Sequence, residues 1–181
     1  MRGHIPPIIA KAAGLLPLLP LELVARHLIA NAMEARPSFA TRLAEHAGRV
    51  FAIDPVDCPF VFLLTPDQGR TALHVVRDLN GAAYDARIAA PLIVLLGMID
   101  GTYDGDALFF SRHLMIEGDT GASLALRNAI ENAELDPSLV LGLPQRVHGP
   151  FNRMTDFVFG HLRRALDAPE ESGPGRKVSV A

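Results

Sequence analysis

Apolar residues recur at helical spacing through the first 48 positions. Ile5, Ile8, Ile9, Ala12, Leu15, Leu16 and Leu19 share one stripe, and Pro6-Pro7 suits a helix start. Pro17 and Pro20 are expected to break the chain. Leu21, Val24, Leu28 and Ala32 then form a second stripe, with Glu22 four residues ahead of Arg26 as a favourable surface pair, and Pro37 is expected to end it. A third stripe, Phe39, Leu43 and Ala47, stops at Gly48, the usual left-handed helix terminator.

Beyond Gly48 the period shortens. The segments 50–54, 60–65, 71–77 and 83–88 are short, and most are rich in β-branched or aromatic residues, as strands are. Thr65-Pro66-Asp67-Gln68-Gly69 is a turn, because Pro presets one dihedral and Gly supplies positive φ. Asn80-Gly81 is a strong hairpin signal. Tyr84, Ala86 and Ile88 alternate with Asp85 and Arg87, so one face of that strand is expected to be buried and the other wet. Turns this short predict an antiparallel meander.

Pro91 opens an apolar helix over 92–100, closed by Gly101. The acidic loop 100–106 leads through Leu108-Phe109-Phe110 to a fifth strand at Leu114, Met115 and Ile116. Asp119 or Thr120 caps a helix that carries Leu124, Leu126 and Ile130. A loop over 136–150, an amphipathic helix over 151–166 and a Pro/Gly-rich tail expected to be disordered complete the chain. The organisation predicted is N-terminal helices over 1–48, a domain over 49–135, a loop and C-terminal helix over 136–167, and a tail over 168–181. The fold class is α+β, built on a five-stranded, largely antiparallel sheet.

Composition narrows the function. The 181 residues are enough for one domain with appendages, and 49% of them are apolar. With 17 basic against 20 acidic residues and a net charge of −3, the chain lacks the basic excess of a nucleic-acid binder. The single cysteine, Cys58, excludes an internal disulfide and fits a reducing compartment. Residues 88–99 are apolar but far short of the ~20 that a membrane-spanning helix needs. Prolines and charges interrupt residues 5–33, and no small-residue cleavage site supports a signal peptide there. A cytoplasmic protein without a span is expected.

Reactive chemistry finds little support. No two of the histidines at 4, 27, 46, 74, 113, 148 and 161 lie at the spacing of a helical metal site, although His74 and His113 fall in predicted strands and could meet in space. Cys58 has no base beside it in the sequence, and Gly121-Ala122-Ser123-Leu124-Ala125 lacks the last glycine of a nucleophile elbow. The Asp100–Asp106 stretch lacks the alternating carboxylates and closing Glu of a calcium loop. Glu117 and Asp119 flank Gly118 as an acid–base pair would, but a strand end and a helix cap account for both. The Phe-rich strands are not interleaved with Lys and Arg, as base-stacking sheets are. No cofactor is expected.

The run Phe109-Phe110-Ser111-Arg112-His113-Leu114-Met115-Ile116-Glu117-Gly118-Asp119-Thr120 carries a resemblance. Together with the strands before it and the helix with Leu124, Leu126, Asn128 and Glu134-Leu135 after it, it resembles the sterol carrier protein 2 domains. Within them it is most similar to the bacterial accessory factors of oxygen-independent ubiquinone biosynthesis (UbiT-like). The resemblance implies a sheet covered by helices on one face, with an apolar tunnel for lipid between the layers. It implies a non-enzymatic carrier holding the isoprenoid tail of quinone intermediates, with quinone-biosynthesis enzymes, including iron–sulfur hydroxylases, as partners. The alternative is a general phospholipid-binding carrier or a peripheral membrane sensor, and the apolar stripe of the first helix, with Lys11 near its other side, suits a peripheral membrane contact. The residues expected to line the lipid site are Phe60, Phe62, Leu64, Leu92, Leu95, Leu96, Ile99, Phe109, Phe110, Met115, Leu126 and Ile130. An empty tunnel of ~500 Å³ would cost roughly 12 kcal/mol at ~24 cal/mol per Å³, so it should collapse, take up water or hold lipid.

Overall fold

A computed structural model describes residues 17–67, 71–99 and 101–133, together with 138, 141–143, 146, 148–150, 152–154, 157 and 160–161. The expected helix over 5–16, the tail and parts of the last helix lie outside the described residues.

Helix α1 (Leu18–Ala35) begins three residues earlier than the proline spacing suggests. Pro20 sits in its first turn, where backbone N–H groups have no helical partner and proline costs nothing. The buried stripe is also rotated from the expected one. Leu18, Leu21, Ala25, Ile29 and Ala32 pack on the core, while Val24 is exposed. Pro37 ends α1 by opening the next helix, α2 (Pro37–Ala44), whose Phe39 and Leu43 are buried as the stripe predicts.

The sheet comprises β1 (Phe51–Pro55), β2 (Val61–Thr65), β3 (Ala72–Val76), β4 (Ala86–Ala90) and β5 (Met115–Gly118), in the order β3-β2-β1-β4-β5. Strands β1, β2 and β3 form the expected antiparallel meander. The fourth strand departs from it. Asn80-Gly81 makes a turn, with Gly81 at φ +77° and Asp78 accepting from the Asn80 N–H, but β4 does not fold back on β3. The link over 77–85 instead carries the chain past β2 and β1, and β4 pairs parallel with β1. Burial explains the choice. Ala86, Ile88, Ala89 and Ala90 are all buried, and Arg87 is held between carboxylates of β1 and β5, so β4 suits the sheet's interior. In β3 only Leu73 and Val75 are buried while Ala72 and His74 are exposed, which suits an edge.

One face of the sheet presents Phe51, Ile53, Phe62, Leu64, Leu73, Val75, Ala86, Ile88 and Ile116 to the core. Helix α3 (Leu92–Ile99) follows β4 and buries Ile93, Val94, Leu95 and Met98. Its start is capped through space, since Asp57 accepts from the Leu92 N–H at 2.8 Å. Helix α5 (Thr120–Ala133) packs on β4, β5, α2 and α3, and α1 packs on β3 and α2. The other face carries an ionic ladder in which Arg87 of β4 bonds Asp54 of β1 and Glu117 of β5. Burial opposes its charge, but both carboxylates outweigh that and hold the guanidinium above its usual range. Among the described residues no helix is long and apolar enough to cross a membrane.

Candidate functional site

The acidic stretch before the Phe-Phe pair is a loop over 101–104 that ends as a helix start. Asp104 accepts from the N–H groups of Asp106 and Ala107 and caps the short helix α4 (Gly105–Phe110). Asp106 reaches across to Arg127 of α5 at 2.7 Å. After α4 the chain turns sharply at Arg112, whose φ of 60° is the one positive value among the described non-glycine residues. The N–H groups of His113 and Leu114 both donate to the Leu108 carbonyl, tying the start of β5 to the end of α4.

This turn leaves an open groove of about 550 Å³ between α4 and the outer edge of β5. Phe109, Phe110, Leu114, Met115 and Ile116 form its apolar walls, and Arg112 and Glu117 stand at its polar positions. Phe110 is 80% exposed and packs edge-to-face on Phe109, so the apolar wall faces solvent. Large exposed aromatics grouped in a concavity mark a binding surface rather than an ordinary surface scatter.

Gly118 ends β5, one residue beyond the groove-lining Glu117. It has φ +84°, and a Cβ there would lie 2.3 Å from the Asp85 carbonyl oxygen. Only glycine lets β5 leave the sheet and turn into α5 at this point. Asp119 then caps α5 by accepting from the Ala122 N–H, and Arg49 bonds its other oxygen at 2.6 Å. The backbone bond from Ala122 is the first cause holding this carboxyl below its usual range, with Arg49 adding to it.

The structure distributes the predicted lipid-site residues unevenly. Phe109, Phe110 and Met115 come together in the groove. Leu64, Leu95 and Leu126 are buried in the core, and Phe60, Phe62 and Ile99 pack against it half-buried. Leu92 and Leu96 are half-buried on α3, and the Ile130 side chain lies outside the described residues. Arg112, Leu114, Ile116 and Glu117 line the groove without having been foreseen as lining residues. Their signal was the strand itself, which brings both of its faces and its edge into reach of Phe109 and Phe110.

The groups tested for reactivity are engaged in other ways. Ser123 is fully buried within α5. Glu117 pairs with Arg87, and Asp119 is a helix cap. His74 lies on β3 and His113 precedes β5, at opposite edges of the sheet. Burial, and then the charges of Asp57 and Asp54, push the half-buried Cys58 thiol up to about 12, so it stays protonated at neutral pH. Among the described residues no group of three or more His, Cys, Asp or Glu is placed to hold a metal ion.

A five-stranded mixed sheet covered by helices, with an apolar groove at its edge, defines an α+β domain. The model of the SCP-2 sterol transfer family matches residues 29–131, and the chain belongs to that family. It is similar to a solved structure described as UbiJ-SCP2 ubiquinone synthesis protein, with 20% identity and a TM-score of 0.53, covering 67% of this chain and 98% of the other. It is also similar to apo sterol carrier protein 2 from Yarrowia lipolytica, with 15% identity and a TM-score of 0.43, covering 63% of this chain and 89% of the other. No curated protein matched the chain.

Proposed function

We propose that this protein is a non-enzymatic, lipid-binding accessory factor of ubiquinone biosynthesis, acting in the oxygen-independent pathway. It holds the isoprenoid tail of an intermediate and leaves the ring exposed to modifying enzymes. The observation that carries this reading is the groove of about 550 Å³ walled by Phe109, Phe110, Leu114, Met115 and Ile116. That volume falls in the ~300–1,000 Å³ range of small-molecule sites. Each methylene of a tail removed from water contributes ~0.8 kcal/mol, which offsets extraction from a membrane without any bond being broken. Membership of the sterol-transfer family and similarity to a ubiquinone synthesis protein support the choice of ligand. The tail enters at the groove and runs inward between α5 and the sheet, along the deeper apolar side chains of the predicted tunnel. Quinone-pathway enzymes, iron–sulfur hydroxylases among them, receive the ring. The protein works in the cytoplasm and touches the membrane peripherally to load.

A second reading, a general phospholipid carrier, is favoured by one observation. Arg112 stands exposed at the groove, where a guanidinium suits a phosphate head group. Native mass spectrometry of the purified full chain, followed by lipid extraction, separates the two. A prenylated phenol is the expected ligand, phospholipid alone selects the second reading, and a chain that neither carries nor takes up lipid overturns both. Quinone content of a deletion strain grown with and without oxygen tests the pathway. A loss confined to growth without oxygen is expected.

A further inference from the structure

We propose that a second copy of this chain pairs with β5 edge to edge, antiparallel and centred on Ile116, and closes the open side of the groove. This goes beyond the lipid reading and stands on backbone geometry and charge.

The Asp119 N–H donates to the Asp85 carbonyl at 2.8 Å, and the same register continues with Arg87 opposite Glu117 and Ile88 opposite Ile116. Bonded and non-bonded pairs alternate along an antiparallel ladder. The Ala86 N–H donates to the Val50 carbonyl and the Ala90 carbonyl accepts from the Val56 N–H, so Ala86, Ile88 and Ala90 turn their backbone groups toward β1 and Arg87 turns its own toward Glu117. The N–H and C=O groups of Ile116 and Gly118 then point away from β4, toward the free side of the sheet. Among the described residues nothing bonds them there. The next outward N–H, that of Leu114, is already taken by Leu108 at 3.2 Å. The free stretch of edge is therefore short and centred on Ile116.

Self-pairing satisfies all of it except the Gly118 carbonyl, whose counterpart, the Leu114 N–H, is already taken. With a two-fold axis at Ile116, this residue exchanges both bonds with its counterpart, and the Gly118 N–H reaches the Leu114 carbonyl of the second copy. That symmetry is the isologous type, in which one patch serves both subunits. The register also handles the strand's single charge. Glu117 faces Met115 of the second copy, and its charge is already held by Arg87 at 2.6 Å. Centring on Glu117 would oppose two carboxylates, which is unfavourable. The exposed Phe110 and Met115, beside the seam, supply apolar area that backbone bonds alone would not.

The test compares wild type, Met115→Glu and Met115→Lys as full chains by sedimentation equilibrium. Met115 is half exposed and lies outside the core cluster, so neither substitution disturbs it. Wild type is expected to be a dimer. Met115→Glu sets a carboxylate opposite Glu117 of the second copy and should raise the dimer Kd roughly tenfold or more. Met115→Lys sets an ammonium there and should keep or tighten the dimer, and it decides alone if Met115→Glu does not fold. A monomeric wild type, or a Met115→Lys dimer weaker than wild type, overturns the proposal. Native mass spectrometry of the wild type keeps the two readings apart, since Met115 itself lines the groove. A wild-type monomer that carries lipid sinks the pairing only, and a wild-type dimer that takes up none sinks the lipid reading only.

Discussion

The two edges of this sheet are treated in opposite ways. At β3, helix α1 lies along the strand and its charged side chains substitute for a neighbouring strand. Glu22 accepts from the Val75 N–H at 2.9 Å, and Arg26 donates to the Leu73 carbonyl at 2.7 Å. The two are also bonded to each other at 2.7 Å, so each fixes the other's position. At β5 no helix takes that role among the described residues, and the edge opens into an aromatic groove. An unpaired strand edge invites unwanted pairing, and proteins usually block it. With one edge blocked by ions and the other apolar and open, the proposed pairing is confined to a single side of the molecule.

Four experiments break or sharpen that contrast. Gly118→Ala should have the largest effect, because it combines a disfavoured positive φ with a Cβ against the Asp85 carbonyl oxygen. A loss of roughly 3 kcal/mol or more is expected in urea unfolding, with the groove lost as β5 shifts. An unchanged midpoint would show that the open edge does not depend on this glycine.

Replacing both Glu22 and Arg26 by Ala uncovers the β3 edge. Hydrogen bonds to charged groups contribute ~1.5–3 kcal/mol each, but Arg26 is 44% exposed and solvent screening reduces its share. A combined loss of about 2 kcal/mol is expected, with increased light scattering as the bare strand finds partners. Stability loss without aggregation would mean that the clamp serves only to hold α1.

Phe110→Ser should change stability by no more than ~0.5 kcal/mol, because the ring is mostly exposed. Lipid retained through purification should nevertheless fall, as read by extraction and mass spectrometry. Equal retention would move the lipid site away from the groove.

The smallest effect is expected at Cys58, between the two edges. Its raised thiol should react with iodoacetamide far more slowly at pH 7.5 than a free thiol does. Fast alkylation would show that the β1–β2 loop opens.

The strands were legible as short runs, most rich in β-branched or aromatic residues, between turn signals, and the helices because their apolar residues recur in stripes. The neighbour of β4 was not legible. Asn80-Gly81 specifies a turn locally, but only the burial of Ala86, Ile88, Ala89 and Ala90 and the pairing of Arg87 with carboxylates on both neighbouring strands, properties of the finished sheet, send the strand past β2 to β1. Pro20 misled for a related reason: a proline that breaks a helix interior is harmless in a first turn. In the groove, Phe109, Phe110 and Met115 were recognisable as apolar residues in search of a role. Leu114 and Ile116 were not, since they read simply as strand. Glu22 and Arg26 looked like an ordinary pair one helical turn apart. Their bonds to Val75 and Leu73 span a sequence separation of 53 and 47 residues, which no local pattern encodes.

The parallel pairing of β1 with β4 has a consequence for how the chain acquires its shape. The first three strands are joined by short local turns, and such contacts close early. The landing strip for α5 is complete only after Ala86–Ala90 has travelled past the end of that hairpin set and docked. Until then Phe51 and Leu64 stand half-covered, and a nascent chain would offer them to chaperones. Pulse-labelling hydrogen exchange should therefore find the amides of β2 protected before those of β4.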